Sequence, residues 1–592
     1  MRATFRDLFA YARRYPRAYL TGLTLLVTFA ALTTFAPVLV GRVIDTLQAA
    51  GDGGAPATFG DVLGTILLIL LVMTTAAAAM IGVRRTLLNA SWEVQFDVRH
   101  DLFRHFTALD AGFYDDHRVG DMMARLTTDL NAVRMVVGVA VFQGANTALL
   151  LGFTLARMAS LNVPLTLLTL LVVPFITLTF FVLLRIIHRR YQRVQEQFSD
   201  VSAMAQENFS GIRVVKGFGI EAREESTFER LNDEFIRRNL ALTRVDGPLF
   251  PLMEVFFSLT ISALLLLGGR QVLGAGGALS IGEFSAFVLL FMGIQWPLIA
   301  LGWIANVVQR GVTSWQRLKQ ILDEEPEVRD GPDVDPTIRT IRGDVTFEHV
   351  TVRFGDFVAL DDVSFHVRAG ETIGITGRTG AGKTTLVNLL TRTILPDEGE
   401  IRIDGHPIDT IPIAVVRRHL GVVPQEPYLF SDTIAENIAY GLPEEDTDAL
   451  MPRIREVARL AQVLDDVEGF PEGFDTHLGE RGVTLSGGQR QRTALARAFV
   501  RDPAILILDD ALSAVDTQTE AAILKGLEEV QKDRTTWIVA HRVSAFRSSD
   551  RILVLDRGRI VEEGSHADLL AQDGWYADMD RRQQLERDLE AS

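Results

Sequence analysis

The chain has 592 residues, 48% of them hydrophobic and 23% charged, a net charge of −16 and no cysteine. A single hydrophobic core does not extend over that length, so at least two domains are expected, one apolar and one charged. The negative balance argues against nucleic acid as a partner, and the missing cysteines exclude disulfides, thiolate metal sites and cysteine nucleophiles.

The first segment, MRATFRDLFAYARRYPRAYL, carries basic residues as far as Arg17, and the apolar stretch after it is long enough to stay as a membrane anchor. Phe5, Leu8, Phe9 and Tyr11 among Arg6, Arg13 and Arg14 predict an amphipathic helix on the inner membrane surface. Six apolar stretches then have the length of about 20 residues that a bilayer requires. They are Tyr19–Val40, Phe59–Val83, Val136–Ala159, Val163–Leu184, Leu249–Gly268 and Phe284–Val307. Between the third and fourth lie only Ser160, Leu161 and Asn162, which predicts a tight hairpin.

Arginine is concentrated in 84–134 and 185–246, while 41–58 and 269–283 hold one each, Arg42 and Arg270. By the positive-inside rule both termini and the two long segments are cytosolic. Neither long segment contains proline, and both predict helices that continue out of the membrane. Within the spans, Gln143 and Asn146 lie one helical turn apart and could face a central cavity or bond to neighbouring helices. Glu254 and Gln295 are similar cases, and Pro297 is expected to bend the sixth span.

An Asp-, Glu- and Pro-rich stretch, 322–340, predicts a linker between a membrane domain at 1–321 and a soluble domain at 341–592. In the latter, short β-branched strands alternate with helices. ETIGITGRTGAGKTTLVNLL matches G-x-x-x-x-G-K-[ST] at Gly377, Gly382, Lys383 and Thr384, between an apolar strand (Thr372–Thr376) and a helix-forming run. Glycines let the backbone of Gly377, Arg378, Thr379, Gly380, Ala381 and Gly382 wrap phosphate oxygens, while the helix N-terminus at Lys383, Thr384 and Thr385 favours the anion. Lys383 neutralises the β- and γ-phosphates and the Thr384 hydroxyl ligates Mg²⁺. The apolar run AILILDD ends in Asp509, a carboxylate delivered by a buried strand to the metal.

LSGGQRQRTALARA at 485–498 resembles the signature of ATP-binding cassette proteins. The resemblance covers essentially the whole chain and implies a fold: six transmembrane helices with long cytosolic extensions, then an α/β P-loop ATPase domain with a helical subdomain. It further implies that Ser486, Gly487, Gly488 and Gln489 bind ATP held by an opposite subunit, so that function requires a dimer. Gln425 resembles the glutamine that senses Mg²⁺, and His541 matches the switch histidine. Ser513–Asp516 match the D-loop, GERG at 479–482 an exporter-specific loop, and Phe354 stands where an aromatic stacks on adenine. By the same likeness the tips near Phe113–Gly120 and Gly211–Glu221 are coupling helices. The chain looks like a bacterial multidrug or lipid-A-type half-exporter of the cytoplasmic membrane, moving drugs, lipids or peptides with ATP and Mg²⁺.

One position departs from the family pattern. The residue after Asp509, normally a glutamate that acts as general base, is Asp510. It is one methylene shorter, and a base must come within about 3 Å of its water. This resembles asymmetric, heterodimeric exporters in which one site hydrolyses poorly; the alternative is a homodimer in which a shifted backbone lets Asp510 work. A regulatory or channel-like subunit that binds ATP without pumping is favoured by Asp510 alone, against His541, Gln425 and the signature. A soluble ATPase is excluded by the six spans, and import is disfavoured because importers mostly keep the two parts on separate chains.

Overall fold

The computed structural model describes residues 2–51, 59–273, 279–442, 447–479, 482, 484–511, 517–531 and 534–591. They form two compact units, one of 1–107 and 117–324, the other of 108–116 and 325–592.

In the first unit all six predicted spans fall on helices: Pro16–Gly51, Phe59–Val83, Val141–Leu161 with the π-helical turn Val136–Ala140 before it, Val163–Ser210, Leu249–Leu273 and Ile281–Leu322. Among the described residues five helical stretches are long and apolar enough to cross a membrane. In the fourth predicted span the described apolar stretch is only Val163–Val172, because several side chains beyond it lie outside the described residues. The hairpin is as tight as its sequence: one helix ends at Leu161 and the next begins at Val163. Asn162 caps the second by accepting from the Leu165 N–H at 3.0 Å.

The arginine-rich segments are helical but interrupted. The first runs through Arg84–Leu88 and Asn89–Phe106, breaks around the short helix Ala111–Asp116, and resumes at Val119. The second breaks around the short helix Ile212–Phe218, where Gly219 takes a left-handed conformation with φ 62°, and resumes at Glu221. Glycine is free to do this where a residue with Cβ is strained.

The N-terminal amphipathic helix spans Arg2–Ala12. Leu8 is buried, and Tyr11 packs edge-on against Trp315 at 6.0 Å while donating to Asp101 at 3.0 Å. Phe5 and Phe9 stay exposed on the other side. Its apolar residues thus divide between protein and surroundings. Asn146 is buried, and its Oδ1 has no hydrogen-bond partner among the described residues. Gln143 and Gln295 are half-buried, Glu254 is exposed, and Pro297 lies inside a continuous helix.

The second unit contains two sheets. The antiparallel one is built from β1 (Val345–Phe354), β2 (Phe357–Val367), β4 (Glu398–Ile403) and β5 (His406–Pro407), in the order β2-β1-β4-β5. The other contains β3 (Thr372–Gly377), β6 (Leu420–Val423), β7 (Ile505–Asp509), β8 (Thr535–Val539), β9 (Arg551–Asp556) and β10 (Arg559–Gly564). Its order is β10-β9-β3-β8-β7-β6, parallel except for β10 at the edge. β3, β7 and β8 are buried along their whole length, which is why they read as unbroken apolar runs rather than alternating ones. One core lies between the sheets around Trp537, Phe347 and Phe365; the two phenylalanines stack at 4.7 Å. A second core holds the helical subdomain around Leu429, Leu495 and Phe499.

Candidate nucleotide site

Sheet order creates the site. β3 and β7 flank β8, so the residues that leave the carboxyl ends of all three strands meet at one edge of the sheet. These are the loop Gly377–Gly382, Asp509–Asp510 and His541, a placement shared by ligand sites of parallel sheets generally. Thr379–Gly382 of the loop, Asp509, Asp510 and His541 line a cleft of ≈ 280 Å³ with Phe354, Lys383, Thr384, Thr385 and Gln425, while Gly377 and Arg378 do not line it.

The loop's shape is set by backbone that only glycine supplies. Gly377 has φ 145°, and a Cβ there would lie 2.0 Å from the Leu555 carbonyl oxygen. At Gly382, with φ 100°, it would lie 2.5 Å from the Ala359 carbonyl oxygen. The chain then turns into the helix Lys383–Leu390, whose first N–H groups face the cleft's loop. Lys383 is buried, and its Nζ donates to the carbonyl oxygens of Gly377 at 2.9 Å and Arg378 at 3.0 Å. Those carbonyls take up donors that would otherwise point at an anion.

Burial holds the Lys383 ammonium below the ordinary lysine range, against the pull of Asp509 and Asp510. Burial, followed by the charge of Asp510, pushes Asp509 up, while Lys383 and a hydrogen bond with Thr384 pull it down. His541 is lowered by burial and then by Lys383, against Asp510. Each group is desolvated, and a phosphate chain with a divalent cation supplies the charges that would satisfy them. Among the described residues no cluster of three or more His, Asp or Glu could hold a metal by itself. Mg²⁺ takes one or two protein oxygens and completes its shell with phosphate and water. Thr384 and Asp509, already bonded to each other, are such a pair, with Gln425 on the same cleft.

Asp510 has a left-handed backbone, φ 48°. Its N–H donates to the Val539 carbonyl at 2.8 Å, and its own carbonyl accepts from Gln491 Nε2 at 3.2 Å. Ser486, Gly487, Gly488 and Gln489 do not line this cleft. They open the helix Gly487–Phe499 through a capping box, Ser486 Oγ accepting from the Gln489 N–H at 3.2 Å. Gln489 also donates to Asp466 at 2.9 Å, and Arg492 pairs with the same carboxylate at 2.8 Å. Ser513, Ala514, Val515 and Asp516, and Glu480 and Arg481 of GERG, lie outside the described residues.

Sequence reasoning overlooked Phe357. It is the cross-strand partner of Phe354 across the two-residue turn Gly355–Asp356, and both rings are exposed at the cleft. The signal was present as two phenylalanines flanking Gly-Asp between alternating strands.

A phosphate loop with a metal-facing carboxylate and a separate helix N-terminus beside six spans defines an ATP-binding cassette transporter, and the chain belongs to that family. Residues 19–298 match the ABC transporter transmembrane region and 360–513 the ABC transporter domain. The chain is 37% identical to the multidrug resistance-like ATP-binding protein MdlA of Escherichia coli (strain K12), over 99% of its own length and 98% of that protein. It is 34% identical to an ATP-dependent lipid A-core flippase of Vibrio cholerae, over 98% of both chains. A bacterial Atm1-family ABC exporter solved with ATP bound superimposes with a TM-score of 0.79 at 29% identity, covering 96% of this chain and 99% of that one. The protein is a multi-pass membrane exporter subunit that binds nucleotide and couples ATP hydrolysis to transport as half of a dimer.

Proposed function

We propose that this chain is the weakly hydrolytic half of a heterodimeric exporter of amphipathic compounds, divided into a membrane domain (1–321), a linker (322–340) and a nucleotide-binding domain (341–592). Gly377–Thr385 hold the phosphates of ATP, Thr384, Gln425 and Asp509 hold Mg²⁺, Phe354 stacks on the base, and His541 faces the γ-phosphate. Ser486–Gln489 complete the site on the partner's phosphate loop. The relatives named for multidrug resistance and for lipid A-core flipping support an amphipathic drug or lipid as substrate.

The observation that carries the reading is the backbone at Asp510. A homodimer would need this residue to advance so that its shorter side chain reaches the water. Hydrogen bonds on both its N–H and its carbonyl tie it to β8 and to the signature helix. A misplacement on the order of 1 Å costs roughly 10²-fold in rate. The test is the ATPase rate of the purified chain without a partner. Turnover comparable to that of the native complex, abolished by Asp510→Asn, overturns the reading.

Two further outcomes are expected. Phe354→Ala should weaken ATP binding roughly tenfold, since base–aromatic stacking is worth about 1–3 kcal/mol. Phe354→Tyr, which keeps the ring face, should not, and equal titrations for the two variants would remove Phe354 from the base site. Both termini should be cytosolic, with 41–58 and 269–283 outside. A cysteine at position 216, labelled from outside in sealed cells by an impermeant thiol reagent, would contradict this.

A further inference from the structure

The segment 108–116 lies in sequence between two helices of the first unit, Asn89–Phe106 and the one beginning at Val119, yet it belongs to the compact unit that holds the nucleotide site. Within it, Asp110 bonds directly to the linker. Its Oδ2 accepts from the Glu327 N–H at 2.5 Å and its Oδ1 from the Val328 N–H at 3.1 Å. One carboxylate therefore grips two consecutive linker amides, each with a different oxygen. Hydrogen bonds to an ionised acceptor are about twice as strong as neutral ones.

A buried arginine also contacts the linker. Arg392 NH2 donates to the Arg329 carbonyl at 3.5 Å, and NH1 faces Asp330 Oδ1 at 3.6 Å while donating to the Ile411 carbonyl at 2.6 Å. Asp330 also accepts from the Ile413 N–H at 2.9 Å. Arg392 follows the helix Lys383–Leu390, which begins at the phosphate loop. At a rise of 1.5 Å per residue, those eight residues span about 12 Å.

Arg392 is costly where it stands. Its side chain is 2% exposed, its Nε has no hydrogen-bond partner among the described residues, and burial holds the guanidinium below its ordinary range. Its backbone is left-handed, φ 48°, just past a helix end, where glycine would be free of strain. Stability alone favours a glycine or an apolar residue there. Its polar contacts run to the linker, to the 411 backbone and, through Asp330, to the 413 amide.

We propose that Arg392 and Asp110 are positioning residues that link the phosphate-binding helix to the segment 108–116 through linker residues Glu327–Asp330. Nucleotide on the loop fixes the start of the helix and Arg392 follows its end. The linker follows Arg392, and Asp110 hands the displacement to the two helices that flank 108–116. The link needs nucleotide bound at 377–385 and does not depend on hydrolysis by Asp510.

The test is hydrogen–deuterium exchange on the full complex with and without Mg²⁺ and a non-hydrolysable ATP analogue. In the native protein the analogue should protect 377–385 and also change exchange across 89–106 and 119–135. Asp110→Asn leaves one acceptor oxygen and turns an amide donor toward a backbone N–H. It should keep the protection at 377–385 and reduce the response of 89–106 and 119–135 at least about fivefold, the low end of ordinary coupling between sites. Arg392→Met should do the same, and Arg392→Lys less. The double variant should be no worse than either single one if both act on one link. Should Arg392→Met fail to fold, Asp110→Asn decides alone. A full response of the flanking helices in Asp110→Asn overturns the proposal, as does a native protein that shows none. Loss of protection at 377–385 in Asp110→Asn also overturns it, because the carboxylate would then act on the site itself. Absence of protection at 377–385 in the native protein counts instead against the nucleotide assignment.

Discussion

Asp510→Asn is expected to leave most of the ATPase activity of the assembled exporter in place. Replacing the partner's glutamate at the corresponding position with glutamine should lower it by about 10²-fold or more. A general base contributes roughly 10²–10⁴-fold when it is well placed, and removing one that is already out of reach costs little. On the proposed reading Asp510 falls short by a methylene, and hydrogen bonds from its N–H to Val539 and from Gln491 to its carbonyl oppose its advance. The signature of this chain is a different matter. Ser486 caps its helix in a complete capping box, and Gln489 and Arg492 fix that helix end through Asp466. A substitution at Ser486 or Gly487 should therefore be as severe as loss of the partner's glutamate, since it would damage the working site. Steady-state ATPase assays of the four complexes separate the cases. An inactive Asp510→Asn complex would restore two equivalent sites.

Lys383→Ala should weaken ATP binding by this chain by about 10–100-fold, the worth of a hydrogen bond to a charged group, about 1.5–3 kcal/mol. The ammonium is buried and already turned onto the carbonyls of Gly377 and Arg378. It needs only to exchange those acceptors for phosphate oxygens, with little side-chain entropy left to lose. The variant should stay folded, because the loop's conformation is set by Gly377 and Gly382 rather than by the lysine. Fluorescent-nucleotide titration measures the change, and an unaltered dissociation constant would remove Lys383 from the site.

Much of this protein is local, and local features could be read from residues alone. A bilayer sets a length, so six apolar stretches fell on helices. A buried parallel strand excludes polar residues, so β3 and β7 stood out as apolar runs ending at the loop and at Asp509. The left-handed backbone at Gly382 and the helix after it are consequences of neighbouring residues, and the motif encodes both. The departure at Asp510 was equally visible, since it is one residue in one register.

Tertiary structure decided what depends on pairings distant in sequence. Phe357 joined the cleft because hairpin register sets it opposite Phe354. The backbone of Asp510 is hydrogen-bonded to Val539 and Gln491, which no spacing rule connects to it. Residues 108–116 fall with the nucleotide unit, and Asp110 there accepts from two linker amides more than 200 residues away. Nothing in its neighbours marks Arg392, and only folding buries it against linker residues 329 and 330. Periodicity and motif spacing carry the conformation of a segment; which segments meet is settled by burial and hydrogen bonding across the whole chain.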